Sequence, residues 1–272
     1  MIHRLYKYRM IRIHVISDLF LEYNEFTPIE DTIIPDVDLV ILNGNIGHLK
    51  RGMFYAEELA SVYPDIEFIY NFGETERFRG AQQKYNTELF DSMKVRVEKN
   101  PLWPKNLHWS IDPIHITLKN GRKVDILCTY GFPKIYSCNV PWEDTIWFSE
   151  YVMGVTTDHN SFRPKDASIV WHGTHPVWAS LAMINEQHTL EHAKIKQWEL
   201  EPTTFKILVT HINPYKDSRC KDIEYAPPRI HLENGLWIAS DTKTQNLKFL
   251  GARLEANPGR GSDIRSNVIV ID

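Results

Sequence analysis

Apolar residues in this chain gather into short runs separated by polar and turn-forming stretches, and the runs differ in period. Residues 11–17 and 37–42 are nearly unbroken apolar segments, the pattern of strands covered on both faces. Residues 67–70 form a shorter third run, whereas 53–62 and 80–98 carry helical spacing. Strands alternating with helices predict an α/β architecture. Runs at 114–118 and 124–128 flank Asn120-Gly121, which predicts a hairpin closed by a type I′ turn. Residues 164–196 read as helix, with Gly173 and Pro176 expected to divide it in two. Further strands are expected at 205–210, 236–239, 247–250, 253–255 and 268–271, and an aromatic loop at 130–153. With no repeat or linker in view, residues 1–272 are expected to form a single domain.

Composition narrows the class. Hydrophobic residues at 43% and charged residues at 24% are ordinary for a water-soluble globular chain. A net charge of -4 argues against a surface that grips nucleic acid everywhere. Local basic clusters remain: Arg4, Lys7, Arg9 and Arg12 near one end, and Arg253, Arg260 and Arg265 near the other. A solvated surface is the simpler account of both, with nucleic-acid contact as the alternative. Cys128, Cys138 and Cys220 are odd in number and form no CxxC, so no disulfide framework is expected and a reducing cytoplasm is the simplest compartment. The opening MIHRLYKYRMIRIHVISD reads as a strand with a basic leader, since Arg12 and His14 break its apolar run. No apolar stretch reaches the roughly 18 residues that a membrane helix needs.

Five segments then carry chemistry in a consistent order. ISDLFLEY places Asp18 and Phe20 just past the first strand, and LVILNGNIGH places Asn45 past the second. EFIYNFGETERF holds Asn71, Phe72, Gly73 and Glu74, ILVTHINP holds His211, and LWIASDTKT holds Ser240, Asp241 and Lys243. Together they resemble the strand-end motifs of the calcineurin-like metallophosphoesterases. The hairpin NLHWSIDPIHITLKNGRKVDILCTYGF, the segment SFRPKDASIVWH and the turn NPGR are similar to landmarks of that family outside its metal site. The resemblance runs from about residue 11 to 261. It implies a metallophosphoesterase-like four-layer sandwich, two mixed β-sheets flanked by helices, with two metal ions held at the strand ends.

The resemblance also implies a ligand set, and here the residues depart from it. Asp18 and His211 stand at ligand positions unchanged. Phe20 replaces a histidine ligand, Asn45 the aspartate that bridges both metals, Phe72 an asparagine ligand and Lys243 a histidine ligand. Gly73 replaces the histidine that protonates the leaving group, while Asp241 keeps an oxygen donor. Two divalent ions about 3.5 Å apart repel by roughly 15–20 kcal/mol at an effective dielectric near 20. A neutral Asn45 does nothing to offset that repulsion. A dinuclear centre is therefore not expected, and two readings of Lys243 stand side by side: it pairs with Asp18 and Asp241 in place of a metal, or it reaches to solvent on a loop.

These readings point to a catalytically inactive member of the fold, with no cofactor, that acts as a binding or regulatory protein. The expected partner is a protein or a nucleotide-like ligand, met by the old cleft or by Tyr136, Trp142, Trp147 and Phe148 of the aromatic loop. Similarity to a bacterial and phage branch suggests a phage-encoded, host-directed protein. The alternative is a phosphodiesterase or nuclease with one Mn²⁺ or other divalent ion on Asp18, His211 and Asp241, helped by Asn45. A second alternative is a nucleotide sponge, with Asn45 and Asn71 donating to an anion and Phe20 or Phe72 stacking on a base. Other candidates favour bland roles. The His188/His192 pair lies four apart on a helix, His172 and His175 flank a turn, His48 follows the second motif, and Glu74 and Glu76 read as loop solubilisers or caps before they read as an acid–base pair.

Overall fold

The computed structural model describes residues 10–21, 36–47, 49–73, 76, 78–79, 82–83, 86–131, 134–137, 176–202, 205–211, 224–226, 232, 235–239, 246–250, 253–257 and 268–271. In chain order these form β1 (Ile11–Ile16), β2 (Leu39–Asn43), α1 (Leu49–Val62), β3 (Glu67–Asn71), β4 (Phe78–Arg79), β5 (Gln82–Gln83), α2 (Asn86–Lys99), β6 (Leu107–His108), β7 (Ile114–Thr117) and β8 (Lys123–Thr129). There follow β9 (Lys134–Ser137), α3 (Pro176–Glu199), β10 (Lys206–Thr210), β11 (Glu224–Ala226), β12 (Gly235–Ala239), β13 (Asn246–Leu250), β14 (Arg253–Asn257) and β15 (Val268–Ile271).

Two mixed sheets carry the fold. The first runs β15-β1-β2-β3-β6, parallel throughout except for β15. The second runs β13-β14-β12-β10-β8-β7, with a parallel centre and an antiparallel strand at each edge. Side chains alternate across each strand, so an unbroken apolar run must be covered on both faces. Ile13, Val15, Leu39, Ile41 and Ile69 of the first sheet meet Ile126, Ile207, Val209, Leu236 and Ile238 of the second, which is the inner core. The opposite face of the first sheet, with Val40, Leu42 and Phe68, packs on Met53, Ala56 and Leu59 of α1. The outer face of the second, with Leu127, Leu208 and Trp237, packs on Ile195 and Trp198 of α3. Helix, sheet, sheet and helix thus make the expected four layers.

The strands expected from apolar runs are present, and the helix expected at 80–98 begins at Asn86 because β4 and β5 pair across its first residues. The short strands β6, β9 and β11 carry too few apolar residues to announce themselves. The hairpin between β7 and β8 differs from expectation. Gly121 donates to the Leu118 carbonyl (2.8 Å), Leu118 donates to that of Arg122 (2.9 Å), and of the loop residues only Gly121 has positive φ, at 82°. That is a three-residue loop with glycine in the left-handed position; a type I′ turn would need Asn120 there as well. Cys128 is buried and unpaired, its thiol pushed up to about 12 by burial, while Cys138 and Cys220 lie outside the described residues. No helix among the described residues is long and apolar enough to cross a membrane.

Candidate functional site

Parallel strands deliver their loops to one end of a sheet, and here β1, β2 and β3 of one sheet meet β8 and β10 of the other. At or just past the ends of these strands lie buried polar residues: Asp18, Asn43, Asn45, Asn71, Thr129, Thr210 and His211. The loop after β1 is zipped to the loop after β2 by the N–H groups of Asp18, Phe20 and Leu21, which donate to the carbonyls of Gly44, Asn45 and Ile46 at 3.0, 2.9 and 3.0 Å. Reaching that pairing puts Asp18 (φ 54°), Phe20 (48°), Gly44 (78°) and Asn45 (54°) in the left-handed region. Gly, Asp and Asn tolerate it, whereas for Phe20 the conformation costs roughly 1–2 kcal/mol. Backbone strain of this kind collects where a site is held in shape.

At the centre lies the Asn45 carboxamide. Its Nδ2 donates to Asp18 Oδ1 at 2.9 Å and faces His211 Nε2 at 3.1 Å. On the other side of the ring, His211 Nδ1 lies 2.8 Å from the Asn43 carbonyl, which can only accept. The ring proton therefore sits on Nδ1, and Nε2 presents its lone pair to Asn45. Both hydrogens of the amide are engaged. Tyr130 stacks on the His211 ring at 5.8 Å between centroids, and the Tyr130 and Gly131 N–H groups donate to the Glu191 carboxylate of α3 at 2.9 and 3.0 Å.

Two amide contacts tie the sheets together beneath this centre. Asn43 and Asn71 are register partners on β2 and β3, and Thr129 and Thr210 are register partners on β8 and β10. Asn43 Nδ2 donates to the Thr210 carbonyl (2.8 Å), and Asn71 Nδ2 donates to the Thr129 carbonyl (3.0 Å) and to Asn43 Oδ1 (2.8 Å). The Asn71 amide thus turns into the inter-sheet layer and not toward an external anion.

Glu76 takes a role that its sequence neighbourhood does not announce. Its buried carboxylate accepts from the N–H groups of Asn45 (2.9 Å), Ile46 (2.8 Å), Gly47 (3.3 Å) and Gly73 (2.9 Å) and from the Tyr70 hydroxyl (3.0 Å). Five donors and no acceptor surround it, which is the setting of an ionised carboxylate in a backbone nest. Burial pushes its carboxyl above the ordinary range, while the nearby His211 and the N–H groups of Asn45 and Gly73 pull it back. It clamps the loop after β2 to the loop after β3, and is neither a solubilising residue nor a surface cap. Only its place among exposed-looking Glu and Thr hid it, since spacing says nothing of which way a loop carboxylate turns.

The third loop gives the cleft little else. Phe72 is buried in the core cluster beneath α1, edge-on to Tyr70 at 5.2 Å, and is not placed to stack on a base. Gly73 packs so closely that a Cβ there would lie 2.6 Å from the Asn45 nitrogen and 2.9 Å from the Gly44 Cα. Phe20 is half-exposed beside the Asp18 loop. Glu74, Asp241, Lys243, His48, His172, His175, Trp142, Trp147 and Phe148, and the side chain of Tyr136, lie outside the described residues, as do Arg4, Lys7, Arg9, Arg260, Arg265 and the Arg253 side chain. The pairing of Lys243 with Asp18 falls there too. His188 and His192 stack on one face of α3 with centroids 5.5 Å apart.

Among the described residues no three of His, Cys, Asp and Glu converge as a metal-holding group. Asp18 and His211 do come together, with a donor amide between them, and these described groups by themselves do not fit a pair of cations. No family model and no curated protein sequence matches the chain. Among solved structures it is similar to the phosphopantetheinyl hydrolase PptH from Mycobacterium tuberculosis, with 13% identity, a TM-score of 0.57 and 95% of each chain covered. It is also similar to GAP50, the anchor in the inner membrane complex of Plasmodium (11% identity, TM-score 0.43, 93% of this chain and 72% of that one). A dimetal phosphatase from Danio rerio is a third (9% identity, TM-score 0.40, 92% and 87%). The two mixed sheets and the full-length likeness to the first of these define a metallophosphoesterase-like fold.

Proposed function

We propose that this chain is a metallophosphoesterase-fold protein that works by binding and not by two-metal hydrolysis. The observation that carries the reading is the third loop. In-line attack on a phosphoester needs charge stabilisation on both oxygens and a proton for the leaving group. Among the described residues of the loop after β3, Phe72 and Gly73 supply the cleft with neither: Phe72 is sealed in the core, and Gly73 has backbone atoms where a side chain would begin. The second loop offers a neutral amide already hydrogen-bonded to two ligand-type side chains, Asp18 and His211. The partner is a protein, met by the aromatic residues Tyr136, Trp142, Trp147 and Phe148, since rigid aromatic side chains supply most of the energy at such surfaces. A reducing cytoplasm and a host-directed role for a phage-encoded chain fit this reading.

One observation favours the single-metal phosphoesterase as a second reading. His211 is held with Nδ1–H on a backbone carbonyl and its Nε2 lone pair toward the Asn45 amide, the tautomer and support of a metal-ligating histidine. The two readings part in one assay. Full-length chain supplied with Mn²⁺ is expected to leave a generic phosphodiester intact, and a shift in the mobility of a captured protein that disappears with Trp142→Ala/Trp147→Ala is expected from the binding role. Metal-dependent turnover lost in His211→Ala would reverse the order of the readings.

A further inference from the structure

The cleft's disagreement with a metal centre comes down to one atom. We infer that Asn45 Nδ2 does the cross-linking that a cation would do, and that the side chain at position 45 sets whether Asp18 and His211 are joined by hydrogen bonds or by a divalent ion. The inference rests on the reading that the natural chain holds no two-metal centre.

The distances carry it. Adjacent ligands of an octahedral ion with bonds of about 2.1 Å lie roughly 3.0 Å apart. Nδ2 is 2.9 Å from Asp18 Oδ1 and 3.1 Å from His211 Nε2. Each of these two contacts has the spacing of neighbouring ligands, but Nδ2 carries two hydrogens directed at the lone pairs of the others. A carboxamide and a carboxylate share one shape. Asn45→Asp would remove both donors and set a carboxylate against both the Asp18 carboxylate and the His211 lone pair, a buried arrangement that a cation would stabilise.

The surroundings favour that outcome without further change. His211 keeps its Nε2 lone pair turned inward through its Nδ1–H contact with Asn43, and Tyr130 holds the ring from its face. Position 45 is fixed by Glu76 through its backbone nitrogen and by Phe20 through its carbonyl, so the side chain at 45 starts from the same place in either form. The natural amide makes the junction independent of metal supply, and it does so with no net charge.

The test uses the full chain and Mn²⁺ alone, with free Mn²⁺ read by its EPR signal and the unfolding midpoint followed with and without EDTA. Asn45→Asp is expected to take up one Mn²⁺ per chain at least 100-fold more tightly than the natural chain, and its midpoint is expected to fall in EDTA while that of the natural chain does not move. Adding His211→Ala to Asn45→Asp is expected to abolish the gain. A variant unfolded in EDTA that refolds on Mn²⁺ would support the inference equally. An Asn45→Asp chain with the natural circular dichroism spectrum that binds Mn²⁺ no better than the natural chain would overturn it, as would a gain that survives His211→Ala. Hydrolysis by the natural chain counts against the proposed function instead, so the two failures are told apart.

Discussion

Ile41 in β2 and Val209 in β10 are fully buried between the sheets, and two residues further along the same strands Asn43 and His211 are just as buried. The first pair is surrounded by other aliphatic side chains; the second pair is joined through the Asn43 carbonyl and His211 Nδ1, within a layer of amides and strand-end carbonyls. Burial is equal, but the means of holding it differ. Between the sheets apolar area leaves water and no partner is specified, so one aliphatic residue substitutes for another at modest cost. At the strand ends each polar group has to meet a particular donor or acceptor, because an unmet one costs about 1–3 kcal/mol. In a metalloenzyme of this fold, cations would join such loops. Here the Asn45 amide, the Glu76 carboxylate and the Asn43/Asn71 pair join them.

The comparison is broken most severely at Glu76. Glu76→Ala takes the acceptor from five buried donors, and urea unfolding is expected to show a loss of roughly 3–5 kcal/mol, several unmet donors at about 1–3 kcal/mol each, offset by relaxation of the loops toward water. Burial raises the Glu76 carboxyl above its reference of 4.5. From 4.5 up to the raised value the native state binds more protons than the unfolded one, so stability attributable to this group falls as pH rises across that window and is level above it. Glu76→Gln is expected to remove that slope; an unchanged slope would mean that another group sets it.

Asn71→Leu comes next. It takes one donor from the Thr129 carbonyl, which keeps the His211 N–H at 3.3 Å, and one from Asn43 Oδ1, for an expected loss of about 2 kcal/mol by the same measurement. Ile41→Val in the strand body is the matched control, at about 1 kcal/mol. If the two losses were equal, the strand-end layer would be no more particular than the core. The smallest effect belongs to the rim. His115 Nδ1 lies 2.6 Å from Asp125 Oδ1, but the His115 side chain is 63% exposed, and His115→Ala is expected to change stability by no more than about 0.5 kcal/mol.

The same contrast governs what could be read from the chain before its structure. Runs such as VDLVIL and ILVTH announce strands because burial on both faces leaves a pattern that needs no knowledge of neighbours. That Phe20, Phe72 and Gly73 bring no metal-ligating side chain, and Asn45 no charge, was also legible, since residue type alone sets what an atom can coordinate. Direction was not. Nothing in the residue pattern tells that Asn71 turns into the sheet interface, that Glu76 turns inward to five donors, or that the Asn45 amide points at both Asp18 and His211, because these depend on atoms 3 to 166 positions away. The hairpin shows the same limit on a small scale: Asn-Gly serves two loops, and only the placement of Leu118 opposite Arg122 selects the longer one.

If hydrogen bonds hold these loops where cations would, as proposed, the chain does not hydrolyse phosphoesters through metal. The most direct measurement is product release from a generic phosphodiester by the full chain in Mn²⁺, beside His211→Ala and a protein-free blank. The account predicts that all three traces coincide. Turnover by the natural chain above the blank, removed by EDTA and by His211→Ala, would contradict it.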